Sequence, residues 1–378
     1  MATSQFTVYS ASDPYGPGPI TGTTGSLLKI LNACLVDGYE GKPAAGWEKP
    51  FPDISSSLGC FRNSASGTGF YLLVNDSGGF GGAAEASLVG WETLHSLTSS
   101  NYGPEQRNHY TASIGAGWGQ FPTPEQSLTV GKVVTRKSVD ANSIPRYWAI
   151  FADKYTMYMF ISNGAVANCY TGWMFGDIFS LAGNKDRYRC MIVGRGRDDI
   201  STLAASFILP SWAENPPSPS STWDMFDQSY IYNPYSPYSI PNSGLSGYCI
   251  GHYMARTAGG GGSSIQVGKN FDTGKGCVGH GGSTCWFGHP MLGWLPAPNP
   301  TDNSYYLSPV NIIEPNASLI RGRWRGIYQV CHQSNNFTDG QIFQGSGDYA
   351  GKSFMIVKNI GSLGGFCAVE ISPTVETN

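Results

Sequence analysis

Apolar residues recur at helical spacing in one convincing place along the chain. Elsewhere they come in short runs bounded by glycine, proline or asparagine. The helical stretch is TGTTGSLLKILNACLVDGYEGKPAAGWEKPF, residues 21 to 51. Leu27, Leu28, Ile30, Leu31, Cys34 and Leu35 fall on one broad stripe, which predicts an amphipathic helix over 26–37. Ser26 stands where a side-chain oxygen can accept from a first-turn N–H, and Gly38 can take positive φ just past Asp37. The prolines at 43, 50 and 52 make the next stretch a loop, with Trp47 and Phe51 as anchors. Helix and loop are expected to form one packing unit, with Leu28, Leu31 and Leu35 buried.

The remaining pattern is that of strands. FYLLVND at 70–76 and AEASLVGWETL at 84–94 read as a hairpin around a glycine-rich tip. GKVVTRKS, RYWAIFA and YTMYMFI between 131 and 161 carry the clearest β signal, the last two joined tightly at Asp153-Lys154. Trp173 to Asp177 and Cys190 to Val193 add two short strands. From Tyr305 to Ser372 strand character returns in YYLSPVNII, GIYQVC, KSFMIVKNI and GFCAVEIS.

Between these regions the pattern breaks. Prolines are too dense over 210–243 for a central strand or helix, and 244–300 is glycine-rich and loop-like. The aromatic content of 210–243 favours an extension laid over a surface above a disordered linker, since such linkers are aromatic-poor. The expected fold is mainly β: two β-sandwich-like domains, one short amphipathic helix in the first, and an irregular Pro/Gly/Tyr-rich middle. The expected divisions are an N-terminal arm at 1–20, a β domain at 21–209, an irregular extension or insertion at 210–300 and a β domain at 301–378. The arm reads equally as an extended segment packed on a neighbour or as a disordered lead. One β domain with a long insertion is the alternative architecture.

Composition adds a surface argument. Charged residues are 13% of the 378, against about a quarter in ordinary proteins, while there are 50 Gly, 24 Pro, 21 Tyr and 10 Trp. Turn-rich β-structure accounts for Gly and Pro. A surface short of charge and rich in Tyr and Trp is what subunit interfaces look like. A net charge of −3 argues against a nucleic-acid partner, which demands a basic surplus. Arg321, Arg323 and Arg325 alternate on one strand face and are expected to be solvated or at an interface. The opening MATSQFTVYSASDPYG lacks a basic start and an apolar core, and no apolar run approaches membrane-spanning length. The expectation is a soluble cytoplasmic product with mostly reduced, buried thiols among its nine cysteines. The glycosylation triplets at Asn75, Asn316 and Asn336 then have no consequence.

Candidate chemistry is sparse. Cys277, His280, Cys285 and His289, with Cys249 and His252 upstream, could close a tetrahedral zinc site. Their order matches no familiar finger or ribbon, and buried cysteines beside loop histidines explain the same residues, so no metal is expected. No G-x-S-x-G elbow occurs, and Cys331-His332 on a strand would point to opposite faces. Asp76, Asp153, Asp272 and Asp348 sit beside turn residues, where turn formation is their default role. Gly115-Ala-Gly-Trp-Gly119 and the tetraglycine at 259–262 read as flexible loops, since neither lies between a strand and a helix with a following Lys-Ser/Thr. Exposed Trp and Tyr could stack on sugar rings, and in one dimension such platforms are indistinguishable from interface aromatics.

Three stretches carry a family resemblance: GSLLKILNACLVDGYEGKPAAGWEKPF; KSVDANSIPRYWAIFADKYTMYMFI at 137–161 with FGDI at 175–178; and IRGRWRGIYQVCH at 320–332 with DGQIFQG and AGKSFMIVKN. In these the chain resembles uncharacterised virion proteins of tailed bacteriophages. Trp324-Arg325-Gly326 departs from the Pro-Gly-Leu turn expected at the third. The resemblance implies a tail, baseplate or neck component present in several copies, and it transfers no catalytic residue.

The sequence reading is therefore a non-enzymatic structural subunit of a phage particle, located in the virion after assembly in the host cytoplasm. It is expected to form a homo-oligomeric ring or trimer and to contact other virion proteins. No catalytic, cofactor-binding or metal residue is expected, nor any cofactor, nucleic acid or membrane insertion. A receptor- or carbohydrate-binding tail component that touches host surface glycan is the first alternative. A polysaccharide-degrading enzyme, requiring two carboxylates across a groove, is the second.

Overall fold

The computed structural model describes residues 5–54, 57–77, 84–97, 115–122, 132–138, 140–162, 170–195, 250–260, 265–266, 268–269, 276–280, 305–314, 319–330, 337–358 and 366–372. The chain is mainly β; among the described residues every strand pairing is antiparallel and there is one short α-helix. Strand β1 (Thr7–Ser10) precedes helix α1 (Ser26–Leu31). There follow β2 (Leu58–Arg62), β3 (Tyr71–Asn75), β4 (Ala84–Ser96), β5 (Ala116–Phe121) and β6 (Val133–Ser138). Next come β7 (Trp148–Ala152), β8 (Thr156–Ser162), β9 (Tyr170–Asp177), β10 (Phe179–Ser180) and β11 (Cys190–Arg195). The described middle holds β12 (Ile250–Met254), β13 (Ile265–Gln266), β14 (Gly268–Lys269) and β15 (Gly276–His280). The last five are β16 (Leu307–Glu314), β17 (Leu319–Val330), β18 (Ile342–Gln344), β19 (Ser353–Lys358) and β20 (Phe366–Glu370).

Twelve strands form a first sheet around the path β1-β7-β8-β9-β11-β6-β4-β3-β2, and eight form a second around β14-β15-β16-β17-β20-β19-β18. The expected hairpins are present: Tyr71 pairs with Trp91 between β3 and β4, and Ala152 with Met157 between β7 and β8. Strand β10 carries the chain from one sheet to the other, since Phe179 pairs with Arg323 of β17 directly after β9 ends. Gly322 makes that crossing possible, because a Cβ there would lie 2.1 Å from the Phe179 carbonyl oxygen.

The two sheets share one core. Tyr158, Phe160, Trp173 and Met174 of the first belong to the same buried cluster as Ile312, Trp324, Ile327 and Val369 of the second. Tyr158 and Trp324 bring their ring centroids to 6.3 Å, and Phe6 meets Tyr158 edge-on at 5.8 Å. The cluster thus runs across the boundaries drawn at residues 209 and 301. Two smaller cores lie apart from it, one around Leu73 and Trp91, the other around Tyr328 and Phe354.

Several local expectations change. Residues 7–10 are neither a free arm nor a disordered lead: they pair with β7, and Tyr9 is fully buried. Residues 115–119 are not a loop, because β5 hydrogen-bonds to the second half of β4. The glycine-rich 244–300 region contributes four short strands, since glycine costs a strand entropy without forbidding it. The 210–243 extension lies outside the described residues.

The predicted helix is present with its stripe buried: Leu27, Leu28, Ile30, Leu31, Cys34 and Leu35 are at most 3% exposed. Only its first half is α-helical, and Asn32–Asp37 widen into a π-helical turn closed by Gly38 N donating to Ala33 O at 2.9 Å. The Trp47 loop occupies the end of that turn. Ala45 N donates to Cys34 O at 2.9 Å, and the amides of Gly46 and Trp47 donate to Leu35 O at 3.1 and 3.0 Å. Carbonyls that a helix end leaves unpaired are therefore satisfied by the loop, so helix and loop are one unit.

Candidate functional site

Twelve of the charged residues among those described are buried, several of them as opposite-charge pairs. Arg325 of β17 is 2% exposed and grips Asp153 of the β7–β8 turn with two hydrogen bonds, Nη1 to Oδ1 at 3.0 Å and Nη2 to Oδ2 at 2.5 Å. Burial acts to lower the Arg325 pKa, but the adjacent Asp153 carboxylate outweighs it and holds the guanidinium above its ordinary value. Asp153 Oδ1 also accepts from the amides of Tyr155 and Thr156 at 2.9 Å, so one carboxylate forms the turn and ties it to the second sheet. Four residues earlier on β17, Arg321 makes a similar fork with Asp186, both contacts being 2.7 Å. Its Nη1 also donates to the Arg256 carbonyl.

The expectation for the three arginines is thereby corrected. Arg321 and Arg325 do each find a carboxylate, Asp186 in the β10–β11 connection and Asp153 in the β7–β8 turn, but the site is an interior seam. Arg323 is half-buried, its guanidinium 4.8 Å from the Phe179 ring centroid. What sequence could not supply was the location of Asp153 and Asp186, which lie 172 and 135 positions away from their arginines.

A third internal charge pair holds the helix. Ser26 does not cap it: Gly25 occupies the N-cap with φ 80°, and Ser26 Oγ donates to Thr21 O at 2.6 Å. The first-turn donors go instead to Asp76 at the end of β3, whose Oδ2 accepts from Leu27 N at 2.8 Å and Leu28 N at 3.4 Å. Asp76 Oδ1 pairs with Lys137 of β6, and both side chains are completely buried. Lys137 Nζ also donates to Thr23 O at 2.7 Å. A negative charge at the positive end of a helix is favourable. Burial nevertheless pushes the Asp76 carboxyl up from its ordinary value, against the pull of Lys137 and the two amides. Asp177 is likewise enclosed, accepting from Asn63 at 2.8 Å and Thr68 at 2.5 Å beside Arg189.

Cys277 and His280 lie on β15, their backbones opposite Gly268 and Val310, His252 lies on β12, and Cys249, Cys285 and His289 lie outside the described residues. Among the described residues no three His, Cys, Asp or Glu side chains converge on a common point. Cys331-His332 and Asp272 are also outside them, while Asp348 sits in a single 3₁₀ turn, Gly347–Tyr349. Cys34, Cys60, Cys190 and Cys367 are buried, and burial raises each thiol above its ordinary pKa. Such thiols are poor nucleophiles. No described helix is long and apolar enough to cross a membrane.

Aromatic residues divide sharply. Trp47, Trp91, Trp148, Trp173 and Trp324 are at most 4% exposed, whereas Trp118 is 48% exposed. Trp118 stands on β5 opposite Thr93, next to the row Arg62–Tyr71–Trp91–Gln120 that register lays across β2, β3, β4 and β5. Tyr71 is half-buried with the Arg62 guanidinium 5.3 Å from its ring centroid. Arg62 is held in turn by Glu48 at 3.1 Å and Gly69 O at 2.9 Å.

In the second sheet the buried Glu370 accepts from Tyr328 at 3.0 Å and Lys352 at 3.1 Å, and Tyr328 packs edge-on against Tyr349 and Phe354.

Compared with models of known families and with characterised proteins, the chain matches none.

Proposed function

We propose that this chain is a non-enzymatic structural subunit of a bacteriophage particle, in the tail, baseplate or neck. It assembles through low-charge, aromatic surfaces into a homo-oligomer that contacts other virion proteins. The observation that carries the reading is the inward use of charge. Asp76, Lys137, Asp153, Arg325, Asp186, Arg321, Asp177 and Arg189 are all at most 5% exposed in a chain only 13% charged. That leaves an exterior depleted of the groups that keep a free monomer solvated, as expected of a surface covered by neighbours. Two sheets stapled through a common core also suit a subunit that holds its shape under mechanical load. The resemblance to phage virion proteins points the same way.

Native mass spectrometry of the purified chain, with cryo-electron microscopy of the particle that encodes it, tests the reading. A closed oligomer and density for the two-sheet body in the tail, baseplate or neck are expected. A monomer at high concentration and no density in the particle overturn it. The exposed Trp118 favours a second reading, a component that touches host glycan.

A further inference from the structure

Among the described ion pairs, Asp76 and Lys137 stand apart in chemistry. Asp153, Asp186 and Asp177 face Arg325, Arg321 and Arg189. A guanidinium does not give up its proton in a protein, whereas an ammonium that loses one becomes an amine able to attack a carbonyl carbon. Lys137 Nζ touches Asp76 Oδ1 directly, and both side chains are completely buried. Lys352 also meets a buried carboxylate, Glu370 at 3.1 Å, but keeps 19% of its own side chain in solvent.

The surroundings of this pair suit condensation. Moving one proton from Nζ to Oδ1 leaves an amine beside a carboxylic acid, the state from which an amide forms. Burial favours that transfer, since it pushes the Asp76 carboxyl up and the Lys137 ammonium down from their ordinary values. The other carboxylate oxygen, Oδ2, accepts from Leu27 N at 2.8 Å and Leu28 N at 3.4 Å. These two backbone donors already stand where negative charge develops as a nitrogen adds to Cγ. Thr23 O accepts from Nζ at 2.7 Å and holds the nitrogen against the carboxyl group. Groups fixed in contact in this way react as if at about 10⁵ M or more, and no bulk water competes at a fully buried site.

We propose that Lys137 and Asp76 condense, once the chain has folded, into an internal amide cross-link. The Nζ lone pair adds to Cγ and forms the C–N bond. The Cγ–Oδ1 bond then breaks, and Oδ1 leaves as water with two protons that came from Nζ. One hydrogen stays on the amide nitrogen, and no co-reactant is consumed. Oδ2 becomes the amide carbonyl oxygen and keeps its hydrogen bonds from Leu27 and Leu28. The link joins the end of β3 to β6, the two strands that pair with β4, and closes a loop between positions 61 apart. The assignment is independent of the particle role, since it concerns bonding within one chain.

Mass spectrometry of the purified full chain, denatured before measurement, tests it. The chain should be lighter by one water, about 18 Da, than its sequence requires. A tryptic digest should contain one branched peptide that joins the segment of Asp76 to that of Lys137, uncleaved after Lys137. Lys352 and Glu370 should be recovered in separate linear peptides. Lys137→Arg, which keeps the charge but cannot form the bond, and Asp76→Ala should both lack the water loss. The branched peptide of the parent identifies both residues even where a variant folds poorly. The proposal is overturned by a parent at full mass, by a water loss confined to a linear peptide, as a cyclised aspartate would give, or by a loss that persists in Lys137→Arg.

Discussion

Arg325 Nη2 lies 2.5 Å from Asp153 Oδ2 across the seam between the two sheets, in a site where both side chains are 1% exposed. A buried pair of this kind is costly to break from one side, since the survivor is left charged and dry. Arg325→Met should therefore lower unfolding free energy by about 3–5 kcal/mol in urea titration. Arg323→Met, at the half-buried position between the two forks, should cost less than about 1 kcal/mol. Equal losses would mean that the seam is not ionic.

Asp76 serves both the helix and Lys137, and the two roles can be separated. Lys137→Met leaves the carboxylate its two helix amides, whereas Asp76→Ala strips the helix of its cap and strands a buried ammonium. Asp76→Ala should be the more destabilising by about 1 kcal/mol or more, the usual worth of a cap. The reverse order in thermal or urea unfolding would show that the amide contacts contribute little.

Leu31 is completely buried on the helix stripe and Lys29 is exposed. Leu31→Ala should cost about 2–5 kcal/mol through lost transfer energy and an unfilled cavity. Lys29→Ala should fall within about 0.5 kcal/mol of the parent.

The Asp13 cluster should contribute to acid sensitivity. Burial works to raise this carboxyl, but hydrogen bonds from Lys42, Tyr39 and the Ser10 amide outweigh it, so the folded pKa lies below its ordinary 3.8. A depressed carboxylate makes the folded chain bind fewer protons than the unfolded one. Its contribution is complete above the ordinary value and fades as pH drops through the folded one. Asp13→Asn should remove that part of the slope in urea midpoints measured from about pH 6 to about pH 3. An unchanged slope would assign the acid sensitivity to other carboxylates.

How much of this was legible in one dimension depended on the range of the interaction. The stripe of Leu27 to Leu35 and the paired runs at 71–75 and 84–96 announce themselves because periodicity is local. The ends of the helix did not. Ser26 had the right chemistry for a cap, yet Gly25 in the left-handed region and Asp76 from β3 took the role. The π-helical turn was invisible because its cause is the returning Trp47 loop. Arg321 and Arg325 were read as an outward face because alternation says which residues share a side but not what that side meets. Trp118 sits in GAGWGQ, whose glycines suggested a loop, and its exposure emerges only when β5 is laid beside β4. The same limit applies to β10, two residues long, whose importance lies in the sheet it enters.

The Asp76 contact also orders events in time. Residues 26–37 are too few to hold helical form alone in water, and the carboxylate that secures their first turn follows 49 positions after Leu27. Its own counter-charge, Lys137, follows 61 positions later still. A ribosome that has released only the first fifty residues has therefore produced coil. The contacts that secure the helix are complete only after β6 has been synthesised, and truncation before that point leaves Asp76 without its buried counter-charge.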